Sequence, residues 1–303
     1  MADFIIDNSE QSSGRPRKGW VAAILSLVMI GLGQMYNGQL RKGVIFYLLG
    51  FAAPGLLFLA SGRPIRPLSV ALPIAFVLSI QIASVIDAWR HARSIGNHFR
   101  PARYNRFSIY LTTYLVFGLL FSGFSSNYIR DNHVQAYKIP AGSMEPALLI
   151  GDHILVDKSV ESYGRGDLVV FEFPGDEGKG NPRDFIKRIV GLPGEVIEVW
   201  DKQLYINGRQ LEEPYAVHRE ATLVPADVAP RDNFGPITVP ADSYFTLGDN
   251  RDRSYDSRFW GVVKGEKLRG RSVTIYWSWV RETSRVRWER LGREIVAGED
   301  LWN

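Results

Sequence analysis

Four segments of this 303-residue chain carry residue types that could do chemistry, and they occur in a fixed order. Ile139-Pro-Ala-Gly-Ser-Met-Glu-Pro-Ala-Leu148 sets Ser143 among small residues and prolines. Arg165-Gly-Asp-Leu-Val-Val-Phe171 follows, and Phe185-Ile-Lys-Arg-Ile-Val-Gly-Leu-Pro-Gly-Glu195 places Lys187 and Arg188 inside an otherwise apolar strand. Gly248-Asp-Asn-Arg-Asp-Arg-Ser-Tyr-Asp-Ser-Arg-Phe-Trp-Gly261 gathers acidic, basic and hydroxyl side chains. A serine hydroxyl becomes a nucleophile when a neighbour takes its proton, and a lysine can do that only as the neutral amine. An exposed lysine, with a pKa near ~10.4, is protonated at neutral pH, whereas an apolar setting penalises the ammonium and can lower the pKa by ~3–5 at the extreme. Phe185, Ile186, Ile189 and Val190 could supply part of such a setting around Lys187. Each segment taken alone also has an ordinary reading: Ser143 as a turn residue, Lys187 as a charge that discourages edge pairing, and the last cluster as a hydrogen-bonded loop.

Other chemistries find less support. The chain has no cysteine, which rules out disulfides, thiol catalysis, Cys-ligated zinc and iron–sulfur clusters. It has no His-Glu-x-x-His helix and no Gly-x-Ser-x-Gly elbow. A Ser-His-Asp triad would have to use His133, His153 or His218, none of which sits in a local signature.

Ser-Met-Glu-Pro at 143–146, Lys-Arg-Ile-Val-Gly-Leu-Pro-Gly-Glu at 187–195 and the Gly-Asp-Asn-Arg run at 248–261 resemble the sequence boxes of bacterial type I signal peptidases, with 165–171 as a weaker fourth match. The resemblance covers about 139–279. It implies a membrane-anchored serine endopeptidase with a Ser/Lys dyad on a mostly antiparallel β domain, cutting secretory preproteins after Ala-x-Ala-like sites through an acyl-enzyme. By position, Ser143 would be the nucleophile and Lys187 the general base. Ser254 would hydrogen-bond and orient the lysine, Asp256 and Arg258 would form a supporting ion pair, Asp249 would hydrogen-bond within its loop, and Met144 would pack beside the nucleophile. The Ser143 N–H would donate to the oxyanion. Many Gram-negative members add a hydroxyl two residues before the nucleophile; Ala141 occupies that position here, so a second donor must come from elsewhere. No cofactor or metal is implied. Self-cleaving repressors of the SOS type resemble the same core but are soluble and DNA-bound, which the apolar N-terminal half opposes, so no nucleic acid partner is expected. An inactive β module that binds secreted chains is the other alternative.

The elements that must position these residues divide the chain. Residues 1–127 hold 12 Lys/Arg against 4 Asp/Glu, a net +8, while 128–303 carry a net −4. Gly43–Gly62, Pro67–Ile86 and Phe107–Ser126 are each 20 residues without a charge, the ~20 a bilayer-crossing helix needs. Trp20–Tyr36 is shorter, ends in a polar Gly-Gln-Met-Tyr-Asn-Gly-Gln run, and reads as a fourth span or a re-entrant helix that is retained rather than cleaved. The fold expected is therefore three or four N-terminal transmembrane helices in a membrane domain over 1–127, then a β catalytic domain over 128–280 and a tail or short helix over 281–303.

Lys and Arg are retained in the cytoplasm. The loop Asp87–Arg106, with five arginines, is placed there. That puts the catalytic domain outside the inner (plasma) membrane, against the phospholipid bilayer. Four spans put the N-terminus outside; three put it inside, as Arg15, Arg17 and Lys18 would favour. In the second half, short alternating runs predict strands at 153–157, 167–173, 185–190, 196–200, 204–206, 244–247 and 272–278. Asn207–Gly208 marks a turn, with loops at 175–184 and 224–236. Trp277 and Trp279 would face either the membrane interface or the core.

Overall fold

The computed structural model describes residues 16–60, 67–95, 99–121, 123, 127, 130, 133–176, 178 and 182–295. The chain forms two compact units, 1–63 with 68–127, and 64–67 with 128–303.

The first unit is helical. Its elements are α1 (Gly19–Val28), α2 (Leu32–Tyr36), α3 (Leu40–Ala60), α4 (Pro67–Ile95) and α5 (Phe107–Thr113), the last prolonged by a π-helical stretch, Tyr114–Phe121. Trp20–Tyr36 is a broken helix rather than one continuous rod. Gly31 takes φ +91 at the break, and a Cβ there would lie 2.2 Å from the Gly43 carbonyl oxygen, so both the backbone angle and the space require glycine. The chain then folds back. The Lys18 N–H donates to the Tyr36 hydroxyl at 3.3 Å, and the Arg17 guanidinium lies 4.1 Å from the centre of the Tyr36 ring. Polar side chains seal the hairpin against α4. Gln34, fully buried, donates to the Ser84 carbonyl (2.8 Å) and to Asp87 (3.1 Å) and accepts from the Ser26 and Ser84 hydroxyls. Asn37 donates to the Ala88 carbonyl at 2.7 Å, and Lys42 pairs with Asp87 at 2.6 Å. Among the described residues one helix, Leu72–Ile95, is long and apolar enough to cross a membrane, while Gly19–Val28 and Phe107–Leu120 are apolar but shorter. Parts of two of the expected spans, 61–62 and 122 with 124–126, lie outside the described residues.

The second unit is mostly antiparallel β. Its strands are β1 (Val134–Lys138), β2 (Asp152–Asp157), β3 (Leu168–Glu172), β4 (Asp184–Gly191), β5 (Val196–Trp200), β6 (Gln203–Ile206), β7 (Arg209–Gln210), β8 (Phe234–Thr238), β9 (Ser243–Leu247), β10 (Val263–Lys264), β11 (Leu268–Val280), β12 (Arg285–Val286) and β13 (Arg293–Glu294). The larger sheet runs β1-β2-β11-β3-β4-β9-β10, the smaller β7-β6-β5-β8, and every named strand pair is antiparallel. All seven predicted strands form, and Asn207 and Gly208, at φ 51 and 75, make the two-residue turn between β6 and β7. Besides the two-residue strands β7, β10, β12 and β13, two longer strands, β1 and β8, have no counterpart among the predicted ones. β1 alternates with charged Lys138 at its end, and β8 falls in the stretch read as a loop because only Phe234 and Ile237 are apolar there. In the described part of 281–303, β12 and β13 pair with β11 on either side of a 3-10 turn, Trp288–Arg290, and buried Arg290 anchors the segment through Asp152 at 2.6 Å. Residues 296–303 lie outside the described residues. Trp277 and Trp279 are both half-buried, Trp277 packing edge-on against the exposed Trp288.

Two apolar cores matter for the site. Ile139, Met144, Leu148, Ile154, Val156, Leu168, Val170 and Ile275 pack behind the Ser143 turn. Val169, Phe171, Ile189 and Val263 pack along β3 and β4.

Candidate active site

Ser143 sits in a single 3-10 turn, Gly142–Met144, directly after extended Ala141. Two features fix that turn. Met144 is wholly buried in the core described above, which pulls the turn inward, so its expected place beside the nucleophile is occupied from below. From the other side Asn250 clamps it, with its backbone N–H donating to the Ser143 carbonyl (3.2 Å) and its side-chain amide to the Gly142 carbonyl (3.1 Å).

Lys187 lies in the middle of β4, between β3 and β9. It is 4% exposed, and its Nζ donates to Ser143 Oγ at 2.8 Å and to the Ile186 carbonyl at 3.0 Å. The Phe185 ring centre is 5.6 Å away. Burial lowers the Lys187 pKa from 10.5 to about 8, against the opposing pull of Asp256 and then Asp249. No carboxylate forms an ion pair with it among the described residues, so the two groups that could do acyl-transfer chemistry are within hydrogen-bond reach of each other.

Why do the nearby carboxylates not hold the ammonium? Each is committed elsewhere. Asp249 takes Arg188 bidentately, from Nε at 2.8 Å and Nη2 at 2.7 Å, while Arg188 Nη1 reaches the Gly166 carbonyl. Asp249 therefore bonds β4 rather than only its own loop, as the sequence reading had it: a carboxylate with no exposed surface needs a charged partner, and the adjacent strand supplies one. Asp256 accepts from Arg258 Nε and Nη2, both at 2.8 Å, and from the Gly248 N–H at 3.1 Å. Burial alone would raise its pKa, but Arg258 outweighs that and holds the carboxyl below its usual range. The Asp256–Arg258 pair is thus where the sequence put it. A third pair, Arg251 with Glu213 at 2.5 and 2.6 Å, completes the brace; Glu213 lies in a stretch with no motif, and nothing local signals it.

Ser254 departs from the sequence reading. Its hydroxyl is buried close to Asp256, where it helps to hold that carboxyl's pKa down, and it is not hydrogen-bonded to Lys187. It is packed against the Gly248 backbone. A Cβ on Gly248 would lie 2.2 Å from Ser254 Oγ and 2.5 Å from the Ser143 carbonyl oxygen, so position 248 has room for hydrogen alone.

A cleft of about 340 Å³ opens over the pair. Its apolar lining is Ile139, Pro140, Ala141, Val170, Phe185 and Ile186; Tyr137, Lys138, Asp184, Arg253 and Tyr255 add polar groups. Among the described residues no histidine lines it. His153 stacks edge-on with Tyr276, and His218 lies 3.8 Å from Asp252.

A family model described as "Signal peptidase, peptidase S26" matches residues 110–277, more than half of the chain. The chain belongs to this family. It thereby falls among hydrolases that cut peptide bonds. A curated relative named "Probable signal peptidase I-2", from Synechocystis sp., is 42% identical over 154 residues, covering 49% of this chain and 66% of that one. Signal peptidase I of Leptolyngbya laminosa is 39% identical over 155 residues, covering 49% and 71%. A crystal structure of a signal peptidase I from Enterococcus faecalis V583 is 35% identical, covers 37% of this chain and 98% of that one, and superposes with a TM-score of 0.30.

Proposed function

We propose that this protein is a membrane-bound signal peptidase that removes N-terminal signal peptides from secretory preproteins, using Ser143 as nucleophile and Lys187 as general base. The 2.8 Å contact between Lys187 Nζ and Ser143 Oγ, with no carboxylate to hold the ammonium, carries this reading. In the neutral form Lys187 accepts the Ser143 proton as Oγ attacks the carbonyl carbon, then returns that proton to the departing amine as the C–N bond breaks. The acyl-enzyme is cleared when Lys187 takes a proton from water, which attacks the ester, and gives it back to Ser143. With a pKa of about 8, roughly a tenth of the lysine is neutral at pH 7 and half at pH 8, so the base is available without being fully discharged.

The Ser143 N–H donates to the oxyanion, a contribution worth ~3 kcal/mol in comparable sites. Ala141 carries no hydroxyl to assist. The apolar cleft wall formed by Ile139, Ala141, Val170 and Ile186 accepts small side chains at the first and third positions before the bond. Cleavage of an Ala-x-Ala preprotein by wild type in detergent or lipid is expected to vanish in Ser143→Ala and Lys187→Ala with binding retained. Absence of cleavage by wild type would favour the binding-module alternative.

For the membrane unit, three spans, α3, α4 and α5 with its π-helical continuation, fit better than four. α1 is 10 residues, about 15 Å long, half of the ~30 Å hydrocarbon layer. The α1–α2 hairpin returns to its starting side and brings Arg17, Lys18 and Lys42 to the same end as Asp87, which supports the reading of a cytoplasmic N-terminus. Because the chain lacks cysteine, a cysteine introduced at Pro16 reports its side directly. Labelling only from the cytoplasmic face supports the hairpin; labelling from outside restores the fourth span.

A further inference from the structure

The arginines around the candidate active site are not alike. Arg188, Arg251 and Arg258 are each at most 4% exposed and each is bidentate on a carboxylate, Asp249, Glu213 and Asp256. Arg253 lies two residues after Arg251 in the same loop, yet it is exposed, lines the cleft that holds Ser143 and Lys187, and has no ion pair, side-chain hydrogen bond or ring partner among the described residues. Every carboxylate of its own loop is spent: Asp249 and Asp256 as above, and Asp252 on Lys202 at 3.0 Å and on the N–H groups of Arg219 and Glu220. Among the described residues the cleft's single acidic lining residue is Asp184, which stands beside Tyr137 and lies 3.7 Å from Arg269. Lys138, with no ion pair or side-chain hydrogen bond among the described residues, adds a second positive charge to the lining. The cleft therefore presents uncompensated positive charge beside the reacting groups.

We propose that Arg253 is a specificity-determining residue that reads an acidic side chain of the preprotein next to the scissile bond. The inference rests on the peptidase reading above. Positions −1 and −3 are committed to small side chains, and in an extended substrate alternate side chains point to opposite sides, so the acid belongs at −2, +1 or +2. A guanidinium fork matches a carboxylate bidentately. Seating a substrate in the cleft shields the pair from water, so that like charge is rejected as well as opposite charge favoured.

The test is a set of quenched Ala-x-Ala peptides carrying Glu, Gln or Lys at −2, +1 or +2 in turn, assayed with the full chain in detergent. The readout is the Glu-to-Lys ratio of kcat/KM, which a general loss of activity leaves unmoved. Wild type is expected to favour Glu over Lys about tenfold at one of these positions, Arg253→Gln to bring that ratio near one, and Arg253→Glu to invert it. Raising NaCl from 50 to 500 mM should shrink the wild-type ratio. Equal rates for Glu, Gln and Lys at all three positions in wild type overturn the proposal. So does a preference that survives Arg253→Glu, or one that disappears in Lys138→Gln while Arg253→Gln keeps it. If wild type does not cut even the Gln peptides, the peptidase reading itself has failed, which is a distinct result.

Discussion

Lys187 and Arg188 are neighbours in β4, both 4% exposed, and they meet opposite electrostatic fates. Arg188 keeps its charge because Asp249 and the Gly166 carbonyl take its guanidinium. Lys187 has a hydroxyl and a carbonyl for company, and burial drives its pKa down to about 8. Burial is the same; the partner differs. The carboxylates near Lys187 are withheld from it by Arg188 and Arg258, so the ion pairs of the 248–258 loop serve the site by what they keep away from the lysine as much as by bracing the Ser143 turn.

The sharpest way to break this comparison is to exchange the fates. Lys187→Arg puts a side chain that stays charged where an amine must discharge, and cleavage should fall at least ~10³-fold, as far as in Lys187→Ala, in an assay of preprotein processing. A lysine that tolerates arginine would not be acting as a base.

The reverse break is Asp249→Ala, which strands the Arg188 charge in the interior. It should cost about 3–5 kcal/mol, read as a large drop in the melting temperature of the β unit within the intact protein. A loss under about 1 kcal/mol would show that Arg188 is better solvated than its burial indicates.

Lys187 itself should strain the fold at neutral pH. Its folded pKa, about 8, lies below the unfolded 10.5, so between those values the unfolded chain binds more protons and stability rises with pH; below pH 8 the whole cost is present. That cost is about 3 kcal/mol. Lys187→Met is therefore expected to melt higher than wild type at pH 7, with the gap closing toward pH 10. The same shift predicts that wild-type kcat/KM climbs about tenfold from pH 7 to pH 9 with its midpoint near 8.

The smallest effect concerns Ser254. Its buried hydroxyl does not bond Lys187 and bears on Asp256 less than Arg258 does, so Ser254→Ala should leave the melting temperature of the protein within about a degree or two of wild type. A clear fall would reveal a bond that forms outside the resting arrangement.

Much of this architecture is legible in the chain. The spacing of charges divides residues 1–127 from the rest, Asn207–Gly208 marks the turn that joins 204–206 to the strand after it, and the order of the four boxes points to Ser143, Lys187 and the Asp256–Arg258 pair. These are local or pairwise-ordered signals, and they survive because period, turn chemistry and short motifs depend on near neighbours. Trp20–Tyr36 could not be settled that way. Its hydropathy is that of a short span, and what breaks it is the approach of Gly31 to Gly43 together with the hold of Ser84 and Asp87, 50 and 53 residues away, on Gln34.

Sequence alone determined which residues are candidates for chemistry, because only a few segments combine a small-residue serine, a strand lysine and a polar glycine-led loop. Tertiary structure alone decided which of them carry charge. Asp249 binds Arg188 across 61 positions, Arg251 finds Glu213 across 38, and Ser254 is left without the lysine it was expected to hold. Whether a buried group is ionised depends on the distance to its counter-charge, and that distance exists only once the strands and loops have packed.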